Sequence, residues 1–387
     1  MKLIGTSGRP RHTGAQRADR SSRGGRHLAK KKKRTGLRVF ITIIVILAVI
    51  VLAGAAAWKY FVKPPEVPVE RPNSPSWGGE KEPDPAGEAQ PPVVQDPDAD
   101  PAQETRTGGE YTFALLGTDD GNGNTDTIMV VDFDANDYRI NVVSIPRDTL
   151  VNVSWNVKKV NSLYGVGGVE RTMQGLSEIL GFPLDFYAVV DLKAFEELVD
   201  AIGGVYYDVP VNMHYHDPAQ NLYIDINKGP QQLSGEDAVK VMRFRSGYAD
   251  ADIGRIGTQQ DFLKTAAGQI MENKDKISIP TLAQVFFNYV ETDLTYGNVI
   301  WLAREFFKMD MENINFQTLP ANYWDSVYGD SYVTIYVDEW VEMINECLNP
   351  YDDPVKASDL NILTRDPNTK KIYSTSGVYA GKASWGN

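Results

Sequence analysis

At 387 residues the chain is long enough for one large domain, or two ordinary ones, with appendages. Its net charge of −12 conceals an asymmetry: residues 1–38 hold 13 Lys or Arg and one acid, leaving 26 basic and 50 acidic residues in the remainder. So acidic a remainder is a poor ligand for nucleic acid, and the single cysteine, Cys347, excludes an intramolecular disulfide framework.

The basic arm (1–38) ends in KKKKR at 30–34 and Arg38, and residues 39–58, VFITIIVILAVIVLAGAAAW, are apolar but for Thr42. Twenty such residues match the helix length that crosses a bilayer, whereas the apolar part of a cleaved signal peptide is about 7–15 residues. The expectation is a transmembrane signal-anchor helix with a cytoplasmic N-terminus, and everything after about residue 60 outside. AGAAA at 53–57 leaves cleavage open. Trp58 and Tyr60 suit the outer interface. Residues 59–109 read as a disordered linker, because 64–109 hold 11 of the 22 prolines and almost no large apolar side chains. Such a stretch can act as an extended spacer.

From Tyr111 the texture changes. YTFALLG (111–117), TIMVVDF (127–133), RINVVSIP (139–146), DFYAVVDL (185–192) and GVYYDVP (204–210) are strand-like runs. Helical spacing marks 168–180, 193–202, 234–242, about 257–273, 298–309 and 337–348. Ser234 followed by Asp237 has the form of a helix start. Strands mixed with helices predict a layered α/β domain over 110–350. Residues 351–387 are polar and turn-rich, with DLNILT (359–364) a weak strand, and read as a C-terminal tail without an assigned role. Cys347 borders the stripe of Trp340, Val341, Ile344 and Leu348, a place for a small core residue rather than a catalytic thiol.

The charged residues fall into separated groups. A meander of the first three strands would bring Asp119 and Asp126, on either side of a Gly/Asn-rich loop, to the sheet edge that also receives Arg147 and Asp148. Two carboxylates there suit a hard cation such as Mg²⁺, although Asp and Asn equally cap ordinary turns. Further on, VMRFRSGYADADIGRIGTQQDF (241–262) supplies Arg243 and Arg245, which share a side if extended, and Arg255 and Gln259, which share a helix face. A solvated charged surface is the plainer reading. Arginine's sharper use is to grip phosphate oxygens two at a time. His214 and His216 in MHYHD are too few for a closed zinc site and read as surface residues.

LLGTDD, TDTIMVVDFD, NVVSIPRDT, KVNSLYGVGG, GPQQLSGEDAVKVMRFR and DADIGRIGTQQDFL, in this order over 111–273, resemble the LytR-CpsA-Psr family of cell-wall glycopolymer ligases. The resemblance implies a three-layer α/β/α sandwich with a central mixed β-sheet, preceded by the transmembrane helix and linker, and an apolar cavity for a prenyl chain. It implies a membrane-anchored, extracytoplasmic transferase of a Gram-positive-type bacterium. Such enzymes move a glycopolymer (teichoic acid or capsular polysaccharide) from a polyprenyl-pyrophosphate carrier to peptidoglycan, typically to the 6-hydroxyl of N-acetylmuramic acid. The implied magnesium ligands are Asp119 and Asp126, and the implied pyrophosphate-binding residues are Arg147, Arg243, Arg245, Arg255 and Gln259. Asp252 or Asp148 is the candidate general base, since the acceptor hydroxyl must lose a proton. The family often has Arg two residues before the second metal carboxylate, where this chain has Asn124. A hydrolase of polyprenyl pyrophosphate, and a non-catalytic membrane-tethered lipid- or glycan-binding regulator, would carry the same residues. The basic arm is too short for a helix-turn-helix, so no nucleic-acid partner is expected.

Overall fold

The structure, a computed structural model, describes residues 61–67, 106, 108–118, 123–218, 222–245, 252–327 and 329–380. The predicted span 39–58 and Asp119 lie outside the described residues, all of which belong to the unit Lys59–Asn387. Among the described residues no helix is long and apolar enough to cross a membrane.

The elements run β1 (Glu110–Thr118), β2 (Thr125–Asp134), β3 (Arg139–Ser144), α1 (Ser162–Leu180), β4 (Phe186–Val190), α2 (Leu192–Ala201), β5 (Val205–Val209), β6 (Met213–Asp217), β7 (Leu222–Ile226) and β8 (Gly229–Leu233). They continue with α3 (Gly235–Arg243), α4 (Asp252–Glu272), α5 (Ile279–Tyr289), β9 (Glu291–Thr292), α6 (Tyr296–Phe306), β10 (Ile314–Thr318), β11 (Ala321–Val327), β12 (Asp330–Ile335), α7 (Val337–Cys347), β13 (Leu363–Arg365) and β14 (Ile372–Ser374). Six strands form the central sheet in the order β10-β3-β2-β1-β4-β9. It is mixed: β1 is antiparallel to β2 and parallel to β4, and β3 is antiparallel to β2 and parallel to β10. Strand pairs β5–β8, β6–β7, β11–β12 and β13–β14 surround it.

Alternation along the strands explains why helices cover both faces. Ala114, Leu116, Ile128, Val130 and Val143 point into a core shared with Leu176 and Ile179 of α1 and Trp340 and Ile344 of α7. Their neighbours Phe113, Leu115, Met129, Val131 and Val142 pack on the opposite face against Leu263 and Met271 of α4 and Trp301 and Phe306 of α6. Trp340 anchors the first core, fully buried with its indole N–H donating to the Ile179 carbonyl at 2.9 Å. Ser234 caps α3 by accepting from the Asp237 backbone N–H, as the sequence pattern predicts.

Several segments depart from the sequence reading, strands β7, β8 and β10–β12 among them, over which no strand is predicted. Helix α5 has no counterpart in the predicted elements, although Ser278 caps it and Pro280 sits in its first turn. Residues 351–380 are built into the domain: Tyr351, Val355, Leu360 and Ile362 complete the first core, and Asn152 donates to Asn361 Oδ1 and the Val378 carbonyl, both at 2.7 Å. The described ends of the linker also lie on the domain. Arg106 donates to both oxygens of Asp185 at 2.5 Å, and Val67 packs on the second core.

Candidate functional site

Asp126 occupies an irregular point of the sheet. Gly117 pairs with Thr127 and Thr118 with Thr125, so Asp126 has no partner on β1. A bulge of this kind frees backbone groups and re-aims a side chain. Here the freed Asp126 carbonyl accepts from Arg255 Nη2 at 3.2 Å. The carboxylate accepts from Arg147 Nη1 on one oxygen and Arg245 Nη2 on the other, each at 2.7 Å.

Each arginine reaches this point through a different local structure. Arg147 follows Pro146 in a turn where the Pro146 carbonyl accepts the Thr149 N–H, and its own carbonyl accepts the Asn161 N–H at 3.2 Å. The start of α1 and the loop after β3 are thereby tied together. Gly165 permits a further close approach, since a Cβ there would stand 2.9 Å from the Gly123 carbonyl oxygen. Arg243 is the last residue of α3; Phe244 then turns extended and buries its ring, so Arg243 and Arg245 face the same space. Arg255 and Gln259, one turn apart on α4, are 2% and 4% exposed. Gln259 Nε2 donates to the Met242 carbonyl at 3.3 Å. Gln260 clamps α4 to the sheet by donating to the Gln317 carbonyl at 2.6 Å and Ser144 Oγ at 2.9 Å.

Burial alone would push the Asp126 carboxyl up, but Arg245, Arg147 and Arg255 outweigh it and hold the group below the usual carboxylate range. Among the described residues, four guanidiniums (Arg147, Arg243, Arg245 and Arg255) and the carboxylates of Asp126 and Asp191 line one cavity. That is an anion site.

The volume of this cavity is about 840 Å³, within the ~300–1,000 Å³ usual for ligand sites. Asn124, Asp126, Arg147, Asn161, Arg243, Arg245, Arg255 and Gln259 supply its polar lining, and Phe195, Leu198, Ile202, Phe262, Leu282 and Phe286 supply much of its apolar lining. A cationic mouth on an apolar chamber fits an amphiphile with an anionic head and a long hydrocarbon tail.

The structure thus brings together Asp126, Arg147, Arg243, Arg245, Arg255 and Gln259. Asp148 is adjacent, yet does not line the cavity; it pairs with Lys159 at 3.1 Å. Asp252 begins α4, one turn before Arg255. Asn161, which lines the cavity, and Gln260, which clamps α4 to the sheet, escaped sequence reasoning although both lie inside motifs quoted there, because nothing in their type distinguishes such roles from a cap or a surface amide. His214 pairs with Asp225 at 2.6 Å on the outer face of the β6–β7 hairpin. Burial, aided by Asp132, pushes the Cys347 thiol up to about 11, which leaves it protonated and poorly nucleophilic at neutral pH.

The LytR_cpsA_psr family model matches residues 86–349. Regulatory protein MsrR of Staphylococcus aureus (strain COL) is 27% identical over 216 residues, which is 55% of this chain and 65% of MsrR. The chain therefore spans somewhat less than two thirds of that relative. A polyisoprenyl-teichoic acid–peptidoglycan teichoic acid transferase, TagV of Bacillus subtilis (strain 168), is 28% identical over 177 residues, 44% of this chain and 45% of TagV. The LytR-Csp2A-Psr enzyme from Actinomyces oris superposes with a TM-score of 0.53 at 20% identity, covering 64% of this chain and 93% of that one. At that identity the likeness is one of fold.

Proposed function

Because this chain belongs to the LytR-CpsA-Psr family, we propose that it is a membrane-anchored transferase that moves a glycopolymer of teichoic acid or capsular type from a polyprenyl-pyrophosphate carrier to peptidoglycan outside the cell. The observation that carries the reading is the continuity of the guanidinium-lined mouth with the apolar cavity. A polyprenyl pyrophosphate is an amphiphile of that shape and charge.

In this reading the pyrophosphate lies among Arg147, Arg243, Arg245 and Arg255, and the polyprenyl tail fills the cavity. The acceptor hydroxyl oxygen bonds to the phosphorus bearing the glycan. The bridging P–O bond breaks, and polyprenyl phosphate leaves with the bond's electron pair. Fixed guanidiniums stabilise charge on the transferring phosphoryl group and on the leaving phosphate without reorganising. Asp126 orients Arg147 and Arg245 through its two oxygens. Asp252 is the proposed acceptor of the hydroxyl proton, while Asp148, held by Lys159, steadies the loop that presents Arg147.

Asp126 also fits a hard cation: it is held ionised, and each of its oxygens accepts one guanidinium N–H and retains a lone pair. We assign Mg²⁺ to Asp126 together with Asp119. When bound it would neutralise phosphoryl charge.

The test is reconstitution with a lipid-pyrophosphate-linked glycan and peptidoglycan, with Mg²⁺ and then with chelator. The proposal expects glycan–phosphate joined to peptidoglycan, and loss of Arg147 or Arg245 to abolish most of it. Binding of the lipid without turnover would sink the enzymatic reading.

A further inference from the structure

Residues 61–67, FVKPPEV, begin three residues beyond Trp58 and lie against the N-terminus of α6. Gly297 makes the contact possible, because a Cβ there would overlap the Phe61 carbonyl oxygen. Asn298 makes it specific. Its Oδ1 caps the helix, accepting from Thr295, and its Nδ2 donates to the Lys63 carbonyl at 3.1 Å. Pro65 is buried and Val67 joins the second core. Pro64 and Pro65 limit the conformations the strap gives up on docking.

Only residues 59 and 60 separate Phe61 from the apolar segment 39–58 in the sequence, so the strap is the first part of the folded unit after that segment. The surface beside it is aromatic: Phe61 is 70% and Tyr296 39% exposed, and the Tyr296 ring lies 5.5 Å from that of Phe287. Exposed rings of this kind favour the bilayer's polar–apolar boundary. The same two helices also wall the cavity, through Leu282, Ala283 and Phe286 of α5 and Val299 and Ala303 of α6.

We propose that the α5–α6 face is a membrane-docking surface, strapped to the outer headgroup layer of a phospholipid bilayer by residues 61–67. The apolar wall of the cavity is then presented to the bilayer, and a lipid tail passes between them without crossing bulk water. Residues 68–105 leave and rejoin the same folded unit, at Val67 and Arg106, so their length does not set the distance of the domain from the membrane. The proposal rests on residues 39–58 spanning a bilayer, as in the function proposed above, and is independent of the chemistry at the arginines.

The test uses the full chain in vesicles of phosphatidylethanolamine and phosphatidylglycerol, with Cys347→Ala as background. Nitroxide labels are placed through Tyr296→Cys, Phe61→Cys and, on β11 away from this face, Trp324→Cys. Collisions with oxygen report the bilayer and collisions with a nickel chelate report water. Nickel collisions at 296 should fall several-fold below those at 324. Adding Gly297→Ala, which suits a helix but expels the strap, should return 296 to the level of 324 while leaving 61, tethered by the chain, at the membrane. Equal nickel access at 296 and 324 in vesicle-bound protein overturns the docking surface even if transfer activity is intact. Failure of the chain to enter vesicles overturns the anchor reading, and this proposal with it.

Discussion

Arg245→Ala separates catalysis from folding most cleanly. The side chain is 43% exposed and makes one ion pair, at 2.7 Å, with an Asp126 carboxylate that is itself 32% exposed. Pairs this open to solvent contribute ~0.2–1 kcal/mol to stability. Losing a fixed donor that stabilises charge on the reacting group costs ~10²–10³ in rate, or about 2.7–4 kcal/mol. The rate should therefore fall at least a hundredfold while the melting temperature moves by only a few degrees. Arg245→Lys should recover part of the loss, since it keeps the charge and gives up the planar fork. Lys193→Ala, which disturbs only surface pairs with Glu196 and Glu197, is the control. The assay follows glycan transfer from a lipid pyrophosphate to peptidoglycan, beside thermal unfolding of the same preparations. A rate loss below about tenfold, or one that merely tracks unfolding, would refute the reasoning and return Arg245 to an ordinary charged surface.

Three further outcomes follow from the structure. Burial first, then mutual repulsion among Glu110, Asp132 and Asp134, pushes Glu110 up to about 7 and Asp132 up to about 8. Because the folded state binds these protons more tightly than the unfolded chain, whose carboxylates ionise near pH ~4, stability should fall as pH rises from about 4 to about 8 and level off above, and Asp132→Asn should flatten that slope in denaturant titrations. Trp340→Ala should cost about 3–5 kcal/mol, since it empties a fully buried site and removes the bond to Ile179; a cost under 1 kcal/mol would contradict the packing. Ala303→Phe, which intrudes on the cavity from α6, should raise the KM for long-tailed lipid pyrophosphates more than for short-tailed ones.

Much of this was legible in the sequence because it depended on local pattern. The alternation in TIMVVDF and RINVVSIP predicts the meander, and the meander brings Asp126 and Arg147 to one edge, where they meet at 2.7 Å. The spacing of Arg255 and Gln259 predicts their shared face, and both line the mouth. The cavity wall was not legible residue by residue. Phe195, Phe262 and Phe286 come from three distant helices, and a side chain that lines a chamber is of the same type as one that fills a core. The strap was hidden for a related reason: FVKPPEV offers a few apolar groups at the head of a proline-rich run, and its docking depends on a glycine more than 200 residues away. Leu360 and Ile362 likewise sit singly among polar residues, so no periodicity announced that 351–380 completes the core.

The most direct measurement of the central claim follows both products of one turnover. Purified full-length protein in vesicles is given a polyprenyl-pyrophosphate glycan labelled at the glycan-proximal phosphorus, together with uncrosslinked peptidoglycan, and products are identified by mass spectrometry. The account predicts polyprenyl phosphate and peptidoglycan-linked glycan–phosphate in equal amounts, with the label on the peptidoglycan. Labelled glycan–phosphate free in solution, with none on peptidoglycan, would contradict it and identify a hydrolase.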